Sequence, residues 1–291
     1  MRLEIEDSAT LTFDDGSPVR SASAIAPFGD GWLVVQDDAT HAAWWRPDSI
    51  TPVRVIDPID GLDEFSEAAG TKHLKPDFEA ACALAGGQVL LLGSGSSPNR
   101  MRASLVGSSG YTVADLRPVY LAVAAALGLT EEQLNLEGAC LVGDRLRWFQ
   151  RGNLTAGAPS ASADVDAVAL LAAVRGEAPP DLVRVGEVRV HDLGDVDGVA
   201  LAVTDAVSLP DGRVLVSAAA EDTPNAVDDG PVLASGLALL DGGFVEIPGA
   251  EKVEGLTIRE VTGDGVRLHA VVDADDHEAP SRRLAMRLIL R

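Results

Sequence analysis

The chain is 291 residues long and 46% hydrophobic, which is enough for one large domain with a substantial core. It carries 45 acidic and 23 basic residues, so its formal net charge at pH 7 is −22. A surface this negative repels nucleic-acid phosphates and anionic lipids. We therefore expect neither nucleic-acid nor membrane partners and favour a small-molecule ligand. The sequence leaves the oligomeric state open.

No segment has the pattern of a membrane span or a secretion signal. The longest apolar stretch, residues 119–129, is too short to cross a bilayer. The first residues alternate polar and apolar side chains and lack the apolar core of a signal peptide. We expect a cytoplasmic protein whose two cysteines, Cys82 and Cys140, are buried free thiols, with a disulfide as the alternative.

A short phrase recurs along the chain. It has one leading residue, usually acidic, then small and β-prone residues, a turn with Gly or Asp, and a second apolar strand. We call the leading position the slot. Intervals of roughly 50 to 70 residues separate the copies, which leaves room for one four-stranded unit each. In chain order the slot is filled by Ser23, Glu79, Glu137, Asp205 and Glu254.

The turns inside each unit favour hairpins. Pairs such as Gly86-Gly87 and Gly143-Asp144 supply the positive φ that tight turns between strands need. Many short strands in units of this size are typical of propeller blades. The sequence therefore predicts an all-β fold, a five-bladed β-propeller that forms one domain over residues 1–291.

The two ends of the chain are predicted to close the ring. The last unit has only three strands of its own, and the N-terminal strand, residues 3–13, belongs to no unit. If that strand completes the fifth blade, the backbone groups of both edges are paired. The alternative is a separate edge strand on an open sheet.

Two segments interrupt the strand pattern. Residues 115–129 have apolar side chains at helical spacing and Pro118 in the first turn, which predicts a helix inserted between blades 2 and 3. Thr130 and Gln133 then have the spacing of a capping box. Residues 156–166 are rich in Ala, Ser and Gly, and we predict a mobile loop there.

The slot residues should meet at one mouth of the central channel, because the first strand of each propeller blade lines that channel. Converging carboxylates raise each other's pKa unless a cation or a basic side chain neutralises them. Oxygen-rich sites of this kind suit a divalent cation such as Ca²⁺, Mg²⁺ or Mn²⁺. The alternative is that the carboxylates bond to backbone amides or pair with Lys and Arg. The predicted metal ligands are Glu79, Glu137, Asp205 and Glu254.

The loops after the second strands should open at the same mouth, because the chain reverses direction between the first two strands of a blade. Binding residues concentrate on such loops. Lys72, His73 and Lys75 precede the slot of blade 2 and either balance the acidic ring or contact an anionic substrate. The predicted substrate-binding residues are Lys75, Arg100, Arg151, Asn153 and Asp273.

Several phrases resemble known families. Residues 135–139, 253–256 and 271–276 are similar to the phytase-like, esterase-like group of bacterial β-propellers. Residues 75–79 and 93–96 resemble a family of uncharacterised bacterial proteins.

The Glu-Gly pair of the phrase also resembles the start of the metal site in gluconolactonase-type propellers. That resemblance implies a divalent metal held by Glu, Asn and Asp. Residues of the matching types here are Glu137, Asn153 and Asp205.

Two functions are compatible with these features. The first is a metal-dependent hydrolase of a phosphoester or lactone, in which the metal polarises the substrate and lowers the pKa of bound water. The second is a non-catalytic propeller that binds a small ligand or a protein on the same face, since the fold alone does not choose between them.

Overall fold

The protein is described by a computed structural model that covers residues 1–155, 157–223, 230–249, 251–273 and 279–290. The chain begins with strand β1 (Arg2–Thr10), which belongs to the last blade. Five antiparallel sheets surround a central channel, and the innermost strands of successive blades contact each other in a closed ring. The predicted all-β, five-bladed β-propeller is therefore confirmed.

The first three blades have four strands each, and the first strand of each blade is innermost. Blade 1 contains β2 (Ala22–Phe28), β3 (Gly31–Gln36), β4 (His41–Arg46) and β5 (Ser49–Arg54). Blade 2 contains β6 (Phe78–Ala83), β7 (Val89–Gly93), β8 (Arg102–Gly107) and β9 (Gly110–Asp115). Blade 3 contains β10 (Leu136–Val142), β11 (Arg145–Gln150), β12 (Ala161–Asp166) and β13 (Val185–Val190).

Blade 4 has an additional two-residue strand that pairs with the start of its inner strand. Its members are β14 (Asp195–Val196), β15 (Val199–Ser208), β16 (Val214–Glu221), β17 (Val232–Leu239) and β18 (Phe244–Glu246). Blade 5 contains β19 (Val253–Val261), β20 (Gly265–Val272), β21 (Arg282–Ile289) and, from the other end of the chain, β1.

The N-terminal strand closes the ring as predicted. Strand β1 runs antiparallel to β21, from the pair Arg2 and Ile289 to the pair Thr10 and Arg282. The strand ends earlier than predicted. The pairing nevertheless continues just beyond it, because the Leu11 backbone N–H donates to Ser281 O at 2.9 Å. The edge of β21 is thus paired with β1 rather than left open.

A helix lies between blades 2 and 3, as predicted. Helix α1 (Arg117–Leu127) has its proline in the first turn and ends at Gly128, whose φ of 72° closes the helix in the left-handed conformation. The predicted capping box of Thr130 and Gln133 begins a short 3₁₀ turn. No helix among the described residues is long and apolar enough to cross a membrane.

The predicted mobile loop at residues 156–166 is wrong for most of its length, and residue 156 lies outside the described residues. Residues 161–166 form β12, which pairs with β11 and β13 and is buried. A second helix that the sequence did not suggest, α2 (Ala167–Val174), follows directly. Burial between two strands outweighs the weak strand propensity of Ala and Ser, because strand preference depends mainly on packing context.

Each inner strand has a β-bulge near its start, and the bulge defines the slot. At that point one residue per blade drops out of the pairing register with the second strand, and blade 5 has a second such shift at Arg259. A bulge re-aims a side chain and is common beside functional sites. The bulged residues are Ser23, Glu79, Glu137, Thr204 and Glu254.

In blade 4 the slot residue is therefore Thr204, and the assignment of Asp205 was wrong by one residue. Thr204 behaves as Ser23 does in blade 1. The Ser23 hydroxyl donates to Phe78 O and the Thr204 hydroxyl to Val253 O, each at 2.6 Å and each to the carbonyl before the next slot. Because side chains alternate along a strand, the offset of one residue turns Asp205 away from the slot direction.

In blades 3 and 5 a glycine follows the slot residue and lets the inner strand approach the inner strand of the next blade. A Cβ on Gly138 would lie 2.9 Å from the Asp205 Cα, and one on Gly255 would lie 2.7 Å from the Ala24 Cα. Contacts this short do not occur at real Cβ atoms. The Glu-Gly pair thus combines a side chain at the channel mouth with a close backbone contact.

The two cysteines occupy matching positions in blades 2 and 3, three residues after each slot. Both are buried and free, as predicted. The Cys82 thiol donates to Ala139 O at 3.1 Å, so it contacts the next blade instead of a second sulfur.

Replacing Gly255 by Ala is expected to destabilise the protein by about 1–3 kcal/mol, because the added methyl group overpacks the contact between blades 5 and 1. Urea unfolding followed by circular dichroism measures the change. The control is Gly243→Ala, where an added Cβ meets no atom within 4 Å. Equal stability of the two variants would contradict the close-contact interpretation.

Candidate functional site

A cavity of about 540 Å³ opens at the channel mouth where the inner strands begin. Four of the five slot side chains line it, namely Ser23, Glu79, Glu137 and Glu254. The loops after the second strands open on the same face, as predicted, and contribute Asp37, Ser96, Arg100, Arg151 and Asp273.

The predicted binding residues are divided between two cavities. Lys75, Arg100, Arg151 and Asp273 line the channel mouth, together with Lys72 and His73. Asn153 instead lines a neighbouring cavity of about 390 Å³. Arg151 lines both. Residues 274–276 of the family resemblance lie outside the described residues.

Asp205, a predicted metal ligand, is not among the described residues that line the mouth. Its side chain is 2% exposed, and its Oδ2 accepts the backbone N–H of Leu256 at 2.7 Å. The carboxylate therefore fastens the inner strand of blade 5 to that of blade 4. Burial raises its pKa well above the usual range of an aspartate.

One group of charges, which we call the Lys75 cluster, lies on the side of blades 1 and 2. The Lys75 ammonium contacts Asp37 and lies 2.6 Å from Asp77 Oδ1, while Arg100 lies 3.1 Å from Asp77 Oδ2. One oxygen each of Asp37, Asp77 and Glu79 lies within 4.8 Å of the other two. The members are Asp37, Lys75, Asp77, Glu79 and Arg100.

The sequence did not single out Asp37 or Asp77 as site residues. Asp77 adopts a φ of 57°, which is uncommon for a residue with a side chain and concentrates at functional sites. Its backbone N–H donates to Asp37 O at 3.0 Å, which joins blade 2 to blade 1. In the sequence, only position could have identified this pair. Asp37 directly follows the second strand of blade 1, and Asp77 directly precedes the first strand of blade 2.

A second group, which we call the Arg151 cluster, lies on the side of blades 3 to 5. The Arg151 guanidinium joins Glu137 at 2.8 Å to Glu221 at 2.5 Å. The Lys252 ammonium lies 2.9 Å from Glu254 and 3.3 Å from Glu221. The sequence missed Glu221 and Lys252 as site residues. The members are Glu137, Arg151, Glu221, Lys252 and Glu254.

The Lys75 cluster shifts the pKa values of neighbouring carboxyl groups in opposite directions. Burial by itself would raise the pKa of Asp77, but Lys75 and Arg100 outweigh it and hold that pKa below its usual value. Burial raises the pKa of Glu79 well above its usual value, and the charges of Asp77 and Asp37 add to the effect. The pKa values of these two adjacent carboxyl groups are therefore shifted in opposite directions.

The remaining charges follow the same rules. Burial raises the pKa of Asp37, and the positive charge of Lys75 only partly opposes this increase. Burial raises the pKa of Glu254 to about 7, although Lys252 opposes it. Burial alone would lower the pKa of Lys75 and of Lys252, but the surrounding carboxylates outweigh burial and keep both amines charged.

Acidic groups outnumber basic ones at the mouth. The two clusters and Asp273 together contain seven carboxyl groups and four cations, an excess of three negative charges if every group is ionised. Burial raises the pKa of three of these carboxyl groups, Asp37, Glu79 and Glu254. Proton uptake is thus one way in which the site approaches neutrality.

A divalent cation fits the mouth in donor type. The oxygens of Asp37, Asp77 and Glu79 are the hard ligands that Ca²⁺, Mg²⁺ and Mn²⁺ prefer. The Lys75 ammonium already contacts two of these carboxylates. Only Glu79 of the predicted ligand set belongs to this group, whereas Glu137 and Glu254 pair with basic side chains.

Comparison with protein families gives one match that covers almost the whole chain. The model described as "Family of unknown function (DUF6929)" matches residues 18–288. No curated protein matches the sequence. The resemblance to the phytase-like and esterase-like group stays a prediction, because the matching family has no assigned function.

Solved structures with a similar fold include several propeller proteins. A luciferin-regenerating enzyme is 9% identical with a TM-score of 0.46, covering 96% of this chain and 95% of that one. Regucalcin, a calcium-binding protein from Agrobacterium tumefaciens str. C58, is 12% identical with a TM-score of 0.39, covering 90% and 75%. The α-L-arabinanase of Penicillium chrysogenum is 13% identical with a TM-score of 0.43, covering 96% and 98%. These scores lie below 0.5, so what those proteins bind or act on is not carried over to this chain.

Stability should depend on pH through Glu254. Its pKa is 4.5 in a model peptide and about 7 in the fold, so the folded state binds this proton more tightly. The resulting stabilisation is fully present below about pH 4.5 and is lost as the pH rises through about 7. In Glu254→Gln this contribution is absent. Urea unfolding should show the wild type more stable, relative to the variant, at about pH 5 than at about pH 8.

The control for this measurement is Glu177→Gln, which removes an exposed carboxylate beyond α2. Its difference from the wild type should not change between the two pH values. A Glu254→Gln difference that stays constant, or grows with pH, would contradict the assigned protonation.

Proposed function

We propose that this chain, which belongs to the DUF6929 family of unknown function, is a hydrolase that acts on a small polar ester or lactone at the channel mouth. One observation carries the proposal: Glu79 and Asp77, whose pKa values are shifted in opposite directions, lie side by side in one polar cavity. Adjacent titratable groups whose pKa values are pushed apart are the usual basis for assigning acid and base roles. Perturbed pKa values in a cleft also favour a functional site over a structural one.

The Lys75 cluster contains groups suited to each step of ester hydrolysis. Asp77, whose pKa Lys75 and Arg100 hold below its usual value, accepts a proton from the attacking water as the water oxygen bonds to the acyl carbon. The Lys75 ammonium stabilises the negative charge that develops on the carbonyl oxygen. Glu79 then donates its proton to the leaving oxygen as the acyl–oxygen bond breaks. Asp37 is a positioning residue, since it holds Lys75.

The charge balance favours an ester or lactone over a phosphoester. The predicted anion-binding residues Lys75, Arg100 and Arg151 are each paired with buried carboxylates. Because acidic groups already exceed basic ones, a phosphate group would add negative charge to a site that has too much. A neutral acyl group avoids this repulsion.

Metal-assisted hydrolysis is the second candidate. It is favoured by the three carboxylate oxygens of Asp37, Asp77 and Glu79 within 4.8 Å of one another. A Ca²⁺, Mg²⁺ or Mn²⁺ ion held there would supply Lewis-acid polarisation of the substrate carbonyl. Lys75 would then have to give up its contacts with Asp37 and Asp77. A propeller that binds a ligand without turnover remains the alternative outcome.

Replacing Glu79 by Gln should remove the proton donor while keeping the shape of the side chain. We expect kcat toward an accepted substrate to fall by about 10²- to 10⁴-fold, the usual contribution of general acid–base catalysis. A panel of short-chain lactones and p-nitrophenyl esters identifies the substrate. Glu177→Gln, at an exposed position, should leave kcat unchanged. Wild-type turnover that survives in Glu79→Gln would remove Glu79 from the mechanism, and no turnover at all would favour ligand binding alone.

Replacing Lys75 by Ala should separate the metal-free and metal-assisted mechanisms. If the ammonium serves as the cation of the cluster, its removal frees two carboxylates, and Ca²⁺ or Mn²⁺ binds more tightly to the variant than to the wild type. Isothermal titration calorimetry measures both, with Lys72→Ala as a matched loss of one charge at the rim. Stoichiometric, tight metal binding by the wild type would instead favour the metal-assisted mechanism, and this result needs no variant.

A further inference from the structure

With its three carboxyl groups ionised, the Arg151 cluster is one positive charge short of neutrality, a deficit that a proton on Glu254 or a bound cation can meet. It holds the three carboxyl groups of Glu137, Glu221 and Glu254 but only the two cations of Arg151 and Lys252. All five side chains are largely buried, with relative side-chain exposures between 4% and 14%. Solvent therefore compensates the missing charge poorly.

Glu137 identifies where the deficit lies. Its Oε1 accepts hydrogen bonds from Arg151 at 2.8 Å and from Asn135 at 3.0 Å. Its Oε2 is buried and has no hydrogen-bond partner among the described residues. The residue is 6% exposed and lines the mouth cavity. A buried carboxylate oxygen without a donor is costly, and in native proteins such a group points to a donor supplied from elsewhere.

We propose that the Arg151 cluster binds the ammonium group of an amine-bearing substrate, with Glu137 as its main carboxylate partner. The inference rests on the proposed function, because it names the substrate class of the same cavity. A primary ammonium brings one positive charge and three N–H donors. The charge matches the deficit of the cluster, and one donor satisfies the unpartnered oxygen.

Other ligand groups match this cluster less well. A hydroxyl group supplies a donor but no charge. A phosphate or carboxylate group increases the negative excess. A divalent cation brings two charges where one is missing. The two clusters then divide the substrate between them: the amine lies on the side of blades 3 to 5, and the ester or lactone faces Lys75 and Glu79.

A pair of ligands that differ in one group tests the inference on the unmodified protein. Glucosamine and glucose have an ammonium and a hydroxyl group, respectively, at the same carbon. Isothermal titration calorimetry at neutral pH should show glucosamine binding about tenfold more tightly, as expected of a charge-assisted hydrogen bond. Equal affinities, or no binding of glucosamine at millimolar concentration, would overturn the inference.

Variants then locate the effect. Glu137→Gln keeps the shape of the side chain but removes the charge, and it should abolish the preference for glucosamine. Glu177→Gln, the exposed control, should retain it. A preference that persists in a folded Glu137→Gln variant would overturn the assignment of the amine to this cluster. If that variant fails to fold, the wild-type comparison of the two ligands still decides whether the cavity selects amines.

Failure of this inference can be distinguished from failure of the proposed function. Glu79→Gln should keep the preference for glucosamine, since Glu79 belongs to the other cluster, while it loses turnover. An amine preference without any hydrolysis would support the binding site and reject the hydrolase. Hydrolysis of neutral substrates without an amine preference would support the hydrolase and reject the amine-binding site.

Discussion

The close approach of five inner strands at the channel mouth is the constraint on which the site depends. Each inner strand accommodates it with one bulged residue, and in two blades a glycine follows that permits backbone contact with the next blade. The bulge aims the slot side chain toward the mouth. In blades 1 and 4 the slot hydroxyl instead binds the carbonyl of the following blade. The same bulge therefore either joins two blades through a hydrogen bond or places a carboxyl group in the cavity.

Carboxyl groups gathered in this way require compensation, and the two clusters provide it with buried lysines and arginines. Buried ion pairs are weak evidence for stability, because desolvation of both partners offsets much of their attraction. The raised pKa values of Glu79 and Glu254 show that the compensation is incomplete. A fold that needed only stability would gain from apolar residues here. A polar cavity in which pKa values are shifted in both directions is more typical of binding or catalysis.

The fold itself does not decide among these functions, since propellers support many. The balance of acidic and basic groups at the mouth narrows the choice of substrate class. Every predicted anion-binding cation is already paired, which disfavours anionic substrates such as phosphoesters. The Glu137 oxygen that has no partner among the described residues and the proposed proton donor Glu79 lie in different clusters, so the proposed binding and the proposed chemistry need not compete for the same groups.

The sequence by itself determined the number of blades, the closure by the N-terminal strand and the three slot carboxyl groups at the mouth. These features were readable because each depends on local patterns: turn residues, β-prone runs and a repeated Glu-Gly pair. The loop predicted before α2 was wrong, because burial in blade 3 overrides the composition of β12. The slot prediction for Asp205 was wrong by one residue, because a bulge changes the face of the strand on which a side chain lies. Nothing in the composition indicates where such a bulge occurs. Only the tertiary structure decided which charges meet, as with Lys75 and Asp37 or Lys252 and Glu221, since partners on different blades are brought together by the ring and not by their spacing along the chain.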